Sequence, residues 1–150
     1  MSDNTNSPEW PLKRLYELIS GPCDYERPWD ELASLFLPGA RIRTQLKTSE
    51  ATKIACDWSV AEFATAAAEY YRRQGFWDKE VASVTETFGD IAHIMSVYES
   101  RLEGPEAAPS YSGVNSVQLL RRDGKWSIAS VVFQLENPCL PIPAHYLLRL

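Results

Sequence analysis

Residues 111–135 read YSGVNSVQLLRRDGKWSIASVVFQL. Two runs rich in β-branched and aromatic residues, Tyr111–Arg121 and Trp126–Leu135, flank Asp123-Gly124. Such side chains suit a pleated, half-buried surface, so both runs predict strands. Asp-Gly favours a two-residue type I′ turn, because both central residues must take positive φ. The stretch therefore predicts an antiparallel hairpin. Its apolar pattern does not alternate cleanly. In strict alternation Trp126, Ile128 and Val132 fall on one face, and Ala129, Val131 and Phe133 on the other. Val117 and Leu119 likewise oppose Leu120. A sheet apolar on both faces needs cover on both. The pattern predicts helices over one face and a second copy of the chain over the other.

Upstream, Val81–Phe88 and Ile91–Leu102 read as two more strands joined at Gly89-Asp90. A loop over Gly104–Pro109 links them to the hairpin. Before them, Ser59 and Glu62 stand in capping-box spacing, each able to satisfy a free amide at a helix start. Val60, Phe63, Ala64, Ala67 and Tyr71 follow at helical spacing. Two shorter helices precede this one. Leu12, Leu15, Tyr16 and Ile19 mark the first, which Gly21-Pro22 stops. Pro28-Trp29-Asp30 opens the second, which carries Leu32, Leu35 and Phe36 and ends at Leu37-Pro38-Gly39. Ala40 to Lys47 alternates as a short strand.

Composition bounds the function. The chain has 150 residues, 45% of them hydrophobic and 23% charged, which is one ordinary globular domain. Its net charge of -5 disfavours a nucleic-acid groove, since phosphate binding needs clustered basic charge. No apolar run approaches the ~20 residues of a membrane helix. The polar start MSDNTNSPE lacks the order of a signal peptide. We therefore expect a cytoplasmic protein. Cys23, Cys56 and Cys139 form no C-x-x-C pair, and His93 and His145 lie far apart. No metal site and no cofactor is expected. Residues 1–9 read as a disordered lead-in and 10–136 as the domain. Residues 137–150 form a tail, too rich in proline for a central strand and too apolar to be solvated. It is expected to pack on its own domain or on a dimer partner.

Three strings carry a resemblance. Leu35-Phe36-Leu37-Pro38-Gly39-Ala40-Arg41-Ile42 resembles the junction after the second helix of the nuclear transport factor 2-like superfamily, which includes SnoaL-like and ketosteroid-isomerase-like proteins. Gly89-Asp90-Ile91-Ala92-His93-Ile94 resembles a strand entry of that superfamily, and Leu119 to Ile128 its terminal hairpin. The resemblance implies an α+β fold: a cone-shaped, curved antiparallel or mixed sheet wrapped around three N-terminal helices. It also implies a conical pocket, and a homodimer through the outer face of the sheet.

Function is then read at the pocket. Steroid-isomerase chemistry needs a carboxylate base and an acid oxyanion donor. The resemblance places those positions at Thr44 and Ser116, which cannot titrate usefully, with Tyr16 near the first-helix tyrosine. The Asp and Arg residues show no epoxide-hydrolase arrangement. The expected function is binding of a small molecule in a mostly apolar pocket. Trp29, Phe36, Phe63 and Phe133 are its candidate aromatics, with Tyr16, Thr44, Tyr98, Ser116 and Gln118 as polar contacts. Ser116 and Gln118 are expected on the concave face, where buried polar groups need partners. The alternative is a cofactor-independent lyase, cyclase or dehydratase acting on a small hydrophobic, polyketide- or terpenoid-like substrate. Its acid/base would be His93, the one histidine inside the domain.

Overall fold

The computed structural model describes residues 5–47 and 52–148. Helices α1 (Trp10–Ile19) and α2 (Trp29–Ala33) lead into strand β1 (Phe36–Lys47). Then come β2 (Lys53–Ser59), α3 (Val60–Tyr71), β3 (Trp77–Phe88), β4 (Ile91–Arg101), β5 (Tyr111–Arg122) and β6 (Lys125–Leu135). A short 3-10 helix, Ala144–Leu148, ends the described chain. The strands form one curved sheet in the order β2-β1-β6-β5-β4-β3. Among the described strands only the β1–β6 pair is parallel. The core lies between the helices and the concave face, with Leu12, Leu32, Ile94, Val117 and Ile128 almost fully enclosed.

The local signals act as their chemistry requires. Asp123 and Gly124 take φ of 52° and 74°, the mirror-image turn that matches strand twist. Ser59 Oγ accepts from the Glu62 amide (3.1 Å), and the Glu62 carboxylate accepts from the Ser59 amide (2.9 Å). The box sits where β2 passes directly into α3. Arg27 is buried and closes the other end of the helix layer. Its guanidinium donates to the carbonyls of Ile19 (3.0 Å), Gly21 (2.8 Å), Pro22 and Tyr25 (both 3.1 Å). It thus supplies the partners that the end of α1 lacks.

Three expectations need correction. Strand β2 is an element the sequence reading misses, although Ile54, Cys56 and Trp58 alternate with Lys53, Ala55 and Asp57. Phe36 belongs to β1, not to the second helix. The β1 register breaks between Phe36 and Arg41, so Pro38 has no ladder bond to donate there. The third correction concerns the two-faced hairpin. The β5–β6 register slips between Gln118 and Leu119: Gln118 pairs with Ser130, and Leu119 with Ile128. Ala129 is the extra residue of a β-bulge, which inverts the alternation. Trp126, Ile128, Val131 and Phe133 therefore share the concave face, opposite Val117 and Leu119. One covering layer of helices accounts for nearly all of them.

Candidate functional site

A cavity of about 420 Å³ lies between α1, α3 and the concave sheet. Helix α3 turns Phe63, Ala67, Tyr70 and Tyr71 toward it, and the small Ala66 and Ala67 leave it room. Leu15, Tyr16 and Ile19 of α1 close the opposite side, and Ile42, Val131 and Leu135 form part of the strand wall. The polar lining groups cluster where β3, β4 and β5 begin or end: Asp78, Ser100, Tyr98, Tyr111 and Asn115. Asp78 and Ser100 are direct cross-strand partners, so both point into the cone. Ser20 fixes this corner. Its hydroxyl donates to the Tyr16 carbonyl (2.7 Å) and accepts from the Asp78 amide (3.0 Å), tying the end of α1 to the start of β3.

Asp78 is the chemically distinctive group. Burial penalises its charged form and pushes its carboxyl up to about 7, while the hydrogen bond from Ser100 Oγ (2.5 Å) partly opposes that shift. The hydroxyls of Tyr16, Tyr98 and Tyr111 are pushed upward, first of all by burial, so they stay protonated at neutral pH. Tyr16 sits in a directional chain. Asn115 Nδ2 donates to the Tyr16 hydroxyl (2.8 Å), and Ser96 Oγ donates to Glu80 (2.6 Å). Ser96 has spent its one proton, so Tyr16 must donate across the 2.7 Å contact to Ser96. Glu80 is raised above its ordinary value by burial. Among the described residues no group of three His, Cys, Asp or Glu could hold a metal ion.

Comparisons with known proteins bear on the fold. No protein-family model matches the sequence, and no curated protein does. Solved structures do. A nuclear transport factor 2-like protein with a cystatin-like fold from Novosphingobium aromaticivorans superposes with a TM-score of 0.64 at 12% identity. That match covers 95% of this chain and 86% of the other. One of unknown function from Pseudomonas aeruginosa gives 0.63 at 12% identity, covering 86% and 98%. A candidate dehydratase of the nuclear transport factor 2-like family from Streptomyces avermitilis gives 0.62 at 12% identity, covering 89% and 96%. The fold is nuclear transport factor 2-like.

Within the nuclear transport factor 2-like cone, Tyr16, Phe36, Phe63, Tyr98 and Phe133 line the cavity. Trp29 does not; it stacks on Tyr71 (centroids 6.2 Å apart) beside a surface cleft. Thr44 is buried and donates its hydroxyl to the Phe133 carbonyl (2.6 Å). Ser116, Gln118 and His93 lie on the outer face. Strand β4 sends Ala92, Ile94, Ser96 and Tyr98 inward, so His93 points out. Its Nε2 lies 2.9 Å from Ser116 Oγ, in a depression with Glu86, Phe88 and Gln118. Gln118 accepts from Ser130 Oγ (3.2 Å). Val117 and Leu119 hold the inward phase of β5, which turns Ser116 and Gln118 away from the cone. Neither supplies a pocket contact there.

The sequence reading weighed Asp78 only among the acids of an epoxide-hydrolase cluster, and missed Ser100, Tyr111 and Asn115. Ser100 was within reach, because it continues the inward series set by Ala92 and Ile94. Asp78 was not, because β3 begins at Trp77 rather than at Val81, and the register shift between Glu80 and Ala82 breaks the alternation that would have placed it. One Asp–Arg cluster is exposed: Arg41 (2.8 Å) and Arg43 (3.2 Å) share Asp57 and hold its carboxyl below the usual range.

Proposed function

We propose that the cone binds one small, mainly apolar molecule carrying a hydrogen-bonding group. The cavity itself carries this reading. It is concave, walled by aliphatic and aromatic side chains, and its few polar groups converge on Asp78 and Ser100. Titration of a panel of small hydrophobic compounds, followed by tyrosine and tryptophan fluorescence, tests it. Ala67→Phe fills the cavity from α3 and is expected to abolish binding while far-UV circular dichroism stays unchanged. Equal binding to that variant places the site elsewhere and ends the reading.

A second reading is favoured by the Asp78 carboxyl being poised near neutrality. A group of that kind takes a proton from one substrate atom and returns it to another. The protein is then a lyase, cyclase or dehydratase on a small hydrophobic substrate, with Asp78 in the role assigned above to His93. Asp78→Asn is expected to lower turnover by about 10²–10⁴-fold, and His93→Ala to leave it unchanged. The reverse result removes Asp78 from this role.

We also place a second copy of the chain on the outer face of the sheet, giving a homodimer that leaves both cones free. Exposed Phe88, Ile91 and Val132 support that contact.

A further inference from the structure

We propose that the ligand of the cone is an amine, an apolar ring-bearing body with one protonated nitrogen seated between the Asp78 carboxylate and the surrounding tyrosines. The inference rests on the reading of the cone as a ligand site and names the chemistry of what it takes.

The charge arrangement is the starting point. Among the described residues that line the cavity there is one carboxylate and no Lys, Arg or His. Asp78 is half-buried, and a carboxylate that loses part of its water is most stable when paired and hydrogen-bonded. Asp78 has one side-chain donor, Ser100 Oγ, and no cation acts on it. Glu80 follows on its own strand and is another acid. Tyr16 comes from α1, Tyr70 and Tyr71 from α3, Tyr98 from β4, and Tyr111 from β5. Arg27 is the nearest buried cation, and its guanidinium is committed to four backbone carbonyls. It lies 4.6 Å from the Tyr71 ring centroid and outside the cone lining. Among the described residues, therefore, no cation is paired with Asp78.

The walls fit a cation better than they fit other ligands. Tyr98 and Tyr111 share the lining with Asp78, while Tyr71 is already taken up by Phe76, Trp29 and Arg27. Aromatic faces attract a nearby cation, most strongly where water is excluded. The tyrosine hydroxyl oxygens accept hydrogen bonds from an ammonium. An anion would meet Asp78 with no compensating base. A neutral carbonyl would need Asp78 protonated, and so would bind best in acid. An ammonium gains from the ionised form. With the free carboxyl titrating at about 7, amine affinity must rise with pH through that region, which is the opposite sign.

The test is calorimetric titration of the full chain with 2-phenylethylamine and with its neutral counterpart 2-phenylethanol, near pH 5.5 and near pH 8.5. At the higher pH the amine is expected to bind at least 10-fold more tightly than the alcohol. At the lower pH it is expected to weaken by about 30-fold through protonation of Asp78, with the alcohol little changed. Asp78→Asn is expected to erase both the preference for the amine and the pH slope. Alcohol binding as tight as amine binding, or amine binding unaltered in Asp78→Asn, overturns the amine and leaves the cone reading standing. Binding of neither compound up to millimolar concentration overturns both.

Discussion

Asp78 makes stability depend on pH in an unusual direction for a carboxylate. Its folded value of about 7 lies above the roughly 3.9 of an unfolded aspartate. Between those values the folded state holds a proton that the unfolded state releases. Stability is therefore full in acid and falls as pH rises through the interval. Urea unfolding from pH 4 to pH 9 should show this loss, of about 1–3 kcal/mol given about 1.4 kcal/mol per unit and partial relief by water. Asp78→Asn should flatten that segment and be more stable than the native protein at pH 8. An unchanged slope would mean that Asp78 is not the group responsible. A second residue-scale dependence is steric. A Cβ on Gly113 would lie 2.4 Å from Tyr98 Oη and 2.9 Å from the Gln134 carbonyl. Gly113→Ala should cost about 1–3 kcal/mol in thermal unfolding, and less in a Tyr98→Leu background. Equal costs in the two backgrounds would separate the residues.

At the scale of elements, what was legible had a short-range cause. The Asp123-Gly124 turn and the Ser59–Glu62 box are complete within four residues, and both stand as read. Removing the Ser59 hydroxyl frees the Glu62 amide at the start of α3. Ser59→Ala should thus lower stability by about 1 kcal/mol, measurable as a shift in the urea midpoint at constant slope. No shift would show that β2 holds this helix end without the box. What was not legible depends on pairing between strands. The Ala129 bulge is visible only from the β5 register, yet it decides which face Val131 and Phe133 occupy. The same long-range phase turned Ser116, Gln118 and His93 outward. Asp78 and Ser100 become a pair only because β3 and β4 align them. The candidate aromatics Phe36, Phe63 and Phe133 were legible because large apolar side chains are more often enclosed than not, although Phe88 shows that register can turn one outward. Polar site residues carry no such signal.

In the whole molecule, the bulge turns most apolar side chains of β5 and β6 onto the concave face and leaves a smaller apolar patch on the outer one. The chain after β6 runs back over the outer face, where Leu140, Ile142 and Tyr146 border a groove with Met95, Val114 and Val132. Ile142 is fixed there by its amide, which donates to Glu136. Beyond this strap Ile91 stays 58% and Phe88 84% exposed. Exposed apolar side chains gathered on one sheet face, rimmed by polar neighbours, mark an interaction surface. A C2 partner would meet the same patch with itself, and a stable contact needs about 1,600 Å² in total. Light scattering of the 17.0 kDa chain at micromolar concentration should therefore give twice that mass. Ile91→Glu with Val132→Glu puts like charges on both sides of the two-fold axis and should give a monomer with unchanged far-UV circular dichroism. Truncation after Glu136 strips the strap from Met95 and Val114, and should weaken both the dimer and the fold. A native protein that stays monomeric to hundreds of micromolar would leave the patch without this partner.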